Sequence, residues 1–433
     1  MDSTLFNQRF FSFLQESTSA FHAAEAIRKR LEAHGFLCLR ENEGWTLTTC
    51  QPYYIVRDDA SIIVFNRGKD DTNGFRMVGA HSDSPSLKIK PQPDIFNKAY
   101  HTLGVEVYGS AILGSWFDRP LSIAGRVAYT DKNGRLNRVL VDFKKAAAIL
   151  PSIALHLDRE ANNGKSINAQ KDIIPLIGAD KGDDPLPFAK RLLDVIKQQH
   201  GPVEIEDIIG FDLFFYDPQP PGYAGLNDEY IVSSRLDNLL SCFVAVEALT
   251  AAGNDHNYIF VCNNHEEVGS NTASGAQGNM LLALMERIYP DNDVRHRLLA
   301  DSFFISMDNA HAVHPNHPQK HDDNHSIYLN YGPVIKTNAL QRYASSALSS
   351  AVFRLLCKEA GVKTQDFVMR NDLACGSTIG PLTSAKLGLS TVDVGAASLA
   401  MHSLRETTGA EDPLLLYQVI HHFLTCQEMP KIS

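Results

Sequence analysis

The sequence predicts an α/β protein in which a mixed sheet carries the functional residues and a separate β-rich segment is inserted into it. Three observations carry this expectation. The short apolar runs 75–80, 258–262, 303–307 and 391–395 are β-rich without polar alternation, as strands buried on both faces are. From Asn227 onward, such runs alternate with helical periodicity, the pattern of an α/β sheet. Between two proline-rich breaker clusters, 90–94 and 217–222, the texture changes to closely spaced strand patterns.

Taken in order, residues 4–35 read as two amphipathic helices. Ile27 and Leu31 share one face, Arg28, Lys29 and Arg30 lie off it, and Gly35 follows as a stop. Short strands at 53–56 and 61–65 lead to the run that ends on His81. Within the insertion, strands are expected at 104–108, 121–124, 126–129 and 138–142. Asp131-Lys132-Asn133-Gly134 forms the turn between the last two, and a helix is expected near 188–199. His81 precedes this segment and the other candidate ligands come after it, so both flanks belong to one domain. The expected organisation is a site-bearing domain of residues 1–92 and 226–433 with an inserted domain of residues 93–225. Arg235-Leu236-Asp237-Asn238 opens an apolar helix over 239–252, closed by Gly253.

Composition narrows the function. A length of 433 residues with 44% hydrophobic and 21% charged content describes a soluble globular protein of about two domains. A net charge of −10 leaves no basic footprint for nucleic acid or an anionic membrane. The 7 cysteines show no C-x-x-C spacing, which fits a reducing compartment better than a disulfide framework. The N-terminus has no secretory pattern, and no apolar run approaches the roughly 20 residues of a membrane span. The expected location is cytoplasmic.

The chemistry sits where strands end. The run 258–262 leads to His265-Glu266-Glu267-Val268-Gly269, 75–80 to His81-Ser82-Asp83, and 303–307 to Asp308; 391–395 precedes a loop with His402. In open α/β sheets, ligands collect beyond the carboxyl ends of strands. Neighbouring side chains on extended backbone point opposite ways, so Glu267 can face a metal while Glu266 stays free as a base. Taken alone, the pair reads as a solvated loop, and Gly269 stands where an H-E-x-x-H helix needs its second histidine. Together, His81, His402, Asp237, Glu267 and Asp308 suit a pair of zinc, cobalt or manganese ions. Asp237 is the best bridge, leaving each ion one histidine and one terminal carboxylate. Asp83 is placed to accept the second imidazole N–H of His81. A water acidified between two ions would lose its proton to Glu266.

Rival features are weaker. His311, His314, His317, His321 and His325 resemble a metal tract, but Pro315 and Pro318 break any helix that would align them. Cys262 and Cys375 read as small buried hydrophobes. Gly376-Ser377-Thr378-Ile379-Gly380 lacks a Walker lysine and reads as a turn, and no G-x-S-x-G elbow appears. Two other functions use parts of the same pattern: a two-metal amidohydrolase of N-acyl amino acids, and a catalytically silent oligomeric shell or cargo-binding protein.

The ordered motifs HSDSP (81–85), RLDN (235–238), HEEVGS (265–270), SMDNAHAVHPN (306–316), QRYASSA (341–347), MRNDLACGSTIGP (369–381) and MHSLRE (401–406) resemble the aspartyl aminopeptidase family, metallopeptidase family 18. The resemblance spans essentially the whole chain. It implies a phosphorylase/peptidase-like catalytic domain with an inserted dimerisation domain, assembled as a tetrahedral dodecamer acting on short peptides. It implies two zinc ions per chain on His81, Asp237 (bridging), Glu267, Asp308 and His402, with Glu266 as base and a cis peptide after Asp237. It also implies a preference for acidic N-terminal residues. Lys336 and Tyr343 match positions that meet an acidic side chain, and His156 matches a histidine that reaches a neighbour's active site or serves as a ligand.

Overall fold

A computed structural model of the chain describes residues 2–70, 72–164, 166–179, 186–201 and 204–430. The chain divides into two compact units. The first comprises the residues up to Asp83, Pro221–Met401 and the residues from Glu406 onward; the second comprises Ser84–Pro220 with His402–Arg405.

The first unit is built on a 9-stranded sheet in the order Leu37–Cys38, Tyr53–Arg57, Ser61–Asn66, Tyr258–Asn263, Arg76–His81, Phe303–Met307, Ser390–Gly395, Val334–Thr337, Gln365–Val368. The four unbroken apolar runs of the sequence form its parallel centre. Antiparallel pairings on either side make the sheet mixed. Alternate residues of these strands serve opposite faces. Val78, Ala80, Phe260, Ile305 and Val392 join a core with the helices Ser3–Glu16, Ala20–Ala33, Leu236–Ala251, Ala347–Glu359 and Asp412–Thr425. Met77, Ile259, Val261 and Phe304 join another core with Met280–Ile288 and Asn292–Ala300. Burial on both faces explains why the strands read as unbroken apolar runs, each large side chain contributing about 1.5–3 kcal/mol.

A 5-stranded sheet in the same unit runs Gly222–Ala224, Tyr230–Ser233, Glu406–Gly409, Ala397–Leu399, Ala310–His311. Its register sets Glu406 opposite Ser233, shortly before Asp237.

The second unit is a 7-stranded antiparallel sheet whose ladder closes on itself, because Asp207–Tyr216 pairs with both Ser86–Asn97 and Pro120–Thr130. Helix Phe188–His200 buries Phe188, Leu192 and Ile196, one face at four-residue spacing. The turn at 131–134 joins Pro120–Thr130 to Leu136–Asp142, and the Asp131 carboxylate accepts the Asn133 and Arg135 N–H groups. The runs 121–124 and 126–129 are one strand rather than two. The proline cluster at 90–94 does not break the chain. It lies inside Ser86–Asn97, where the register against Tyr100–Tyr108 shifts between Ile89 and Asp94. Prolines are tolerated in a strand at such an irregularity. The boundary between units therefore falls at Asp83/Ser84, ahead of the prolines.

Candidate metal centre

Strands Tyr258–Asn263, Arg76–His81 and Phe303–Met307 are adjacent and parallel, so the segments leaving their carboxyl ends all emerge at one end of the sheet. His81 is there with 1% of its surface exposed. Its Nε2 lies 3.4 Å from Asp237 Oδ1, 3.6 Å from Asp308 Oδ1 and 3.9 Å from Glu266 Oε2. Asp237 comes from the start of helix Leu236–Ala251, where Asp237 and Asn238 depart from helical geometry and the peptide between them is cis. That corner is held from both sides. The Asp237 N–H donates to Glu406 Oε2 at 2.9 Å, and Asn238 Nδ2 donates to the Met307 carbonyl at 2.7 Å. Asp308 depends on a missing side chain: a Cβ on Gly395 would lie 1.8 Å from the Asp308 carbonyl oxygen.

Two local expectations are corrected. Glu266 and Glu267 are not on extended backbone; they occupy a 3₁₀ turn, Glu266–Val268, entered through His265 at φ +63°. Asp83 contributes differently from the expected carboxylate-to-imidazole bond. The His81 Nδ1 meets the main-chain carbonyl of Asp83 at 3.0 Å, whereas the Asp83 carboxylate is 3.5 Å away. That carboxylate instead accepts the N–H of Glu266 at 3.1 Å and of Glu267 at 3.2 Å. One residue thus orients the ring through its backbone and the glutamate turn through its side chain.

The electrostatics are those of a site short of positive charge. Burial pushes the Glu266 carboxyl up to about 7, with His81 opposing and Asp308, Asp83 and Asp237 adding to the rise. Burial, followed by the charge of Asp237, raises Glu267 as well. Burial works against a charged His81 ring, but Glu266, Asp237, Asp308 and Asp83 outweigh it and hold the imidazole well above its ordinary value. A buried divalent cation is what such a donor set accommodates. Among the described residues, two groups can gather ligand atoms within 4.8 Å of one another: His81 with Asp237 and Glu267, and His81 with Glu266 and Asp308. None of the histidines between His311 and His325 joins them.

The chain is similar to known proteins along nearly its whole length. The family model described as Aminopeptidase I zinc metalloprotease (M18) matches residues 13–424. A probable M18 family aminopeptidase 2 of Pseudomonas fluorescens is 45% identical over 426 residues, covering 98% of this chain and 99% of that protein. The chain belongs to the M18 family. It is a zinc metallo-aminopeptidase, a hydrolase. A Stutzerimonas stutzeri M18 relative shows the same 45% identity over 98% of this chain and 99% of its own. Among solved structures, Ape4 in its complex with Nbr1 superposes with a TM-score of 0.94 at 32% identity, covering 98% of this chain and 86% of that one. Mature Ape1 of Chaetomium thermophilum gives 0.88 at 28% identity, covering 98% of each chain. The S. cerevisiae mature Ape1 dodecamer gives 0.83 at 26%, covering 96% and 95%.

Of the other expected site residues, Lys336 adjoins Asp308, and His402 and His156 belong to the second unit. His402 groups with the second unit, where its Nδ1 lies 3.2 Å from the Ser110 carbonyl. His156 is exposed in the same unit. Lys336 is buried, its ammonium 3.1 Å from Asp308 Oδ2 and 3.3 Å from the Asn309 carbonyl, and 5.1 Å from the centre of the Tyr343 ring. Cys262 is buried as expected, and Cys375 is only partly so. Sequence reasoning passed over Glu406, although it closes the MHSLRE motif. It also passed over Cys242, whose thiol donates to the His81 carbonyl at 3.0 Å from within an apolar helix. Cys242 has no local pattern that marks it.

Proposed function

We propose that this M18 aminopeptidase removes the N-terminal residue of short peptides with Glu266 as general base, and that it prefers acidic N-terminal residues. The observation that carries the mechanism is the convergence of Glu266, Asp237 and Asp308 on one buried imidazole, with Glu267 in the same turn as Glu266. His81, Asp237, Glu267 and Asp308, with His402, would hold two zinc ions. The ions, when bound, supply Lewis acidity to the scissile carbonyl and acidify water. Glu266 accepts the proton of the attacking water and returns it to the leaving amine. A carboxylate can make both transfers when a site partly closed from water brings it toward the operating pH. Asp83 holds Glu266 at the required place through the turn N–H groups.

An acidic substrate side chain entering a closed pocket needs a cation. Lys336 is the candidate. An ammonium has three donors, and the Asp308 and Asn309 contacts occupy two of them. Tyr343, against the same ammonium, is its companion.

The Ser84–Pro220 unit would serve dimerisation within a homo-oligomer, a tetrahedral dodecamer, with His156 reaching a neighbouring subunit's site. The S. cerevisiae relative is a dodecamer. The site of action would be cytoplasmic; among the described residues no helix is long and apolar enough to cross a membrane.

Two measurements test the core of this reading. Amides of free amino acids should be cleaved and their N-acetylated forms spared; the reverse would indicate an N-acyl amidohydrolase. Metal analysis of protein purified without chelator should find two ions per chain, and Asp237→Ala should lose most of both. One ion with normal activity would refute the shared site.

A further inference from the structure

Asp393 stands outside the proposed ligand set, yet it is fully buried. It lies on strand Ser390–Gly395, directly opposite Lys336 in the antiparallel pairing with Val334–Thr337. Directly opposed residues on a sheet have Cβ atoms about 4.5–5.5 Å apart and point to the same face. Lys336 in turn extends its ammonium to Asp308. Lys336 thus lies beside a fully buried carboxylate on its own sheet face, while its ammonium pairs with Asp308, a proposed metal ligand.

The surroundings of Asp393 hold its carboxylate in place. Thr378 Oγ1 donates to Oδ1 at 2.6 Å, and the Ala344 N–H donates to Oδ2 at 2.5 Å. The start of helix Ile379–Leu387 packs so closely that a Cβ on Gly380 would sit 2.5 Å from both carboxylate oxygens. Burial raises the Asp393 carboxyl, while Lys336, Thr378 and Ala344 pull it back down. A carboxylate held by two hydrogen bonds and a rigid helix start is a fixed anchor. The lysine it faces has a long flexible stem and could otherwise leave Asp308.

We propose that Asp393 is a positioning residue of the metal centre: it fixes the Lys336 ammonium, which in turn fixes the Asp308 carboxylate for metal binding. The inference rests on the reading of Asp308 as a ligand. Partners that orient a metal ligand change metal affinity by about 10- to 100-fold when removed.

The test is a double-mutant cycle read as zinc affinity, measured on the full chain by competition with a chromophoric chelator. Asp393→Asn keeps the acceptor for Thr378 but removes the charge, and Lys336→Met removes the cation. Each should weaken the tighter-held zinc about 10- to 100-fold, and the double variant should be no weaker than the worse single variant. Asp393→Glu, which restores the charge, should bind zinc more tightly than Asp393→Asn. Circular dichroism reports whether each variant is folded; if Asp393→Asn is not, comparing Asp393→Glu with Lys336→Met decides the matter. Additive losses, wild-type affinity in Asp393→Asn, or a Glu variant no better than Met or Asn overturns the proposal. Asp308→Ala separates the two levels. Unchanged affinity there removes the ligand reading and the inference with it, whereas a large loss there with none in Asp393→Asn removes the inference alone.

Discussion

Glu266 and Glu267 are neighbours with different proposed tasks, and what separates them is a single turn of backbone. Asp83 pins both N–H groups, so the two carboxylates leave the turn in fixed directions. Glu266→Gln keeps size and polarity but cannot take a proton near neutral pH. It should cut kcat by roughly 10²–10⁴-fold while metal analysis still finds both ions; near-normal turnover would remove Glu266 from its role. Lys336→Ala, assayed with zinc in excess, should lower kcat/KM on aspartyl and glutamyl substrates far more than on alanyl or leucyl ones. An equal loss on all four would assign the lysine to Asp308 alone. At this scale the residue types of the candidate site were legible, since His81, Asp237, Glu267 and Asp308 all stand at ends of recognisable elements. The real partner of each was not. The His81 ring meets the Asp83 carbonyl rather than its carboxylate, and Lys336 meets Asp308 across the intervening strand Ser390–Gly395, pairings that no local pattern marks.

The central strands were legible because burial on both faces leaves an unbroken apolar signal, and the same condition explains how tightly they are packed. Their hydrophobic runs match the structure at 76–81, 258–263, 303–307 and 390–395. The insertion was harder to read. Its strands are half-exposed, and a proline pair sits inside one of them at a register shift. Glycine at the rim is one feature whose reason appears only in three dimensions. The Asp308 carbonyl occupies the space a side chain at Gly395 would need, at the point where strand Ser390–Gly395 ends beside the site. Gly395→Ala should therefore destabilise the fold by about 1–3 kcal/mol, the usual cost of overpacking, measurable as a lowered Cm in urea. Because the displaced atom belongs to Asp308, zinc affinity should fall with it. A variant with unchanged stability and unchanged zinc affinity would mean that the Asp308 segment yields freely.

The assembly is where one chain says least by itself, yet it leaves apolar surface to account for. Around His156, Ile153 is 54% exposed, Leu155 50% and Leu157 83%, on a segment with neither helix nor strand. Scattered single exposed leucines are ordinary, but three at alternate positions flanking one histidine form a patch that water solvates poorly. In a homo-oligomer such a segment would be covered by another copy, and His156 would be carried into the contact. Light scattering should then find an oligomer for the wild type. Leu155→Glu with Leu157→Glu should shift it toward smaller species, because burying two unpaired carboxylates opposes association. His156→Ala is expected to lower activity without changing mass. If the histidine completes a neighbour's site, mixing His156→Ala with Glu266→Gln subunits should restore part of the activity, since each chain supplies what the other lacks. Dissociation and reassembly of the mixture is the measurement. A fully active monomer, or a mixture no better than its parts, would leave the catalytic unit self-sufficient and the exposed segment without a partner.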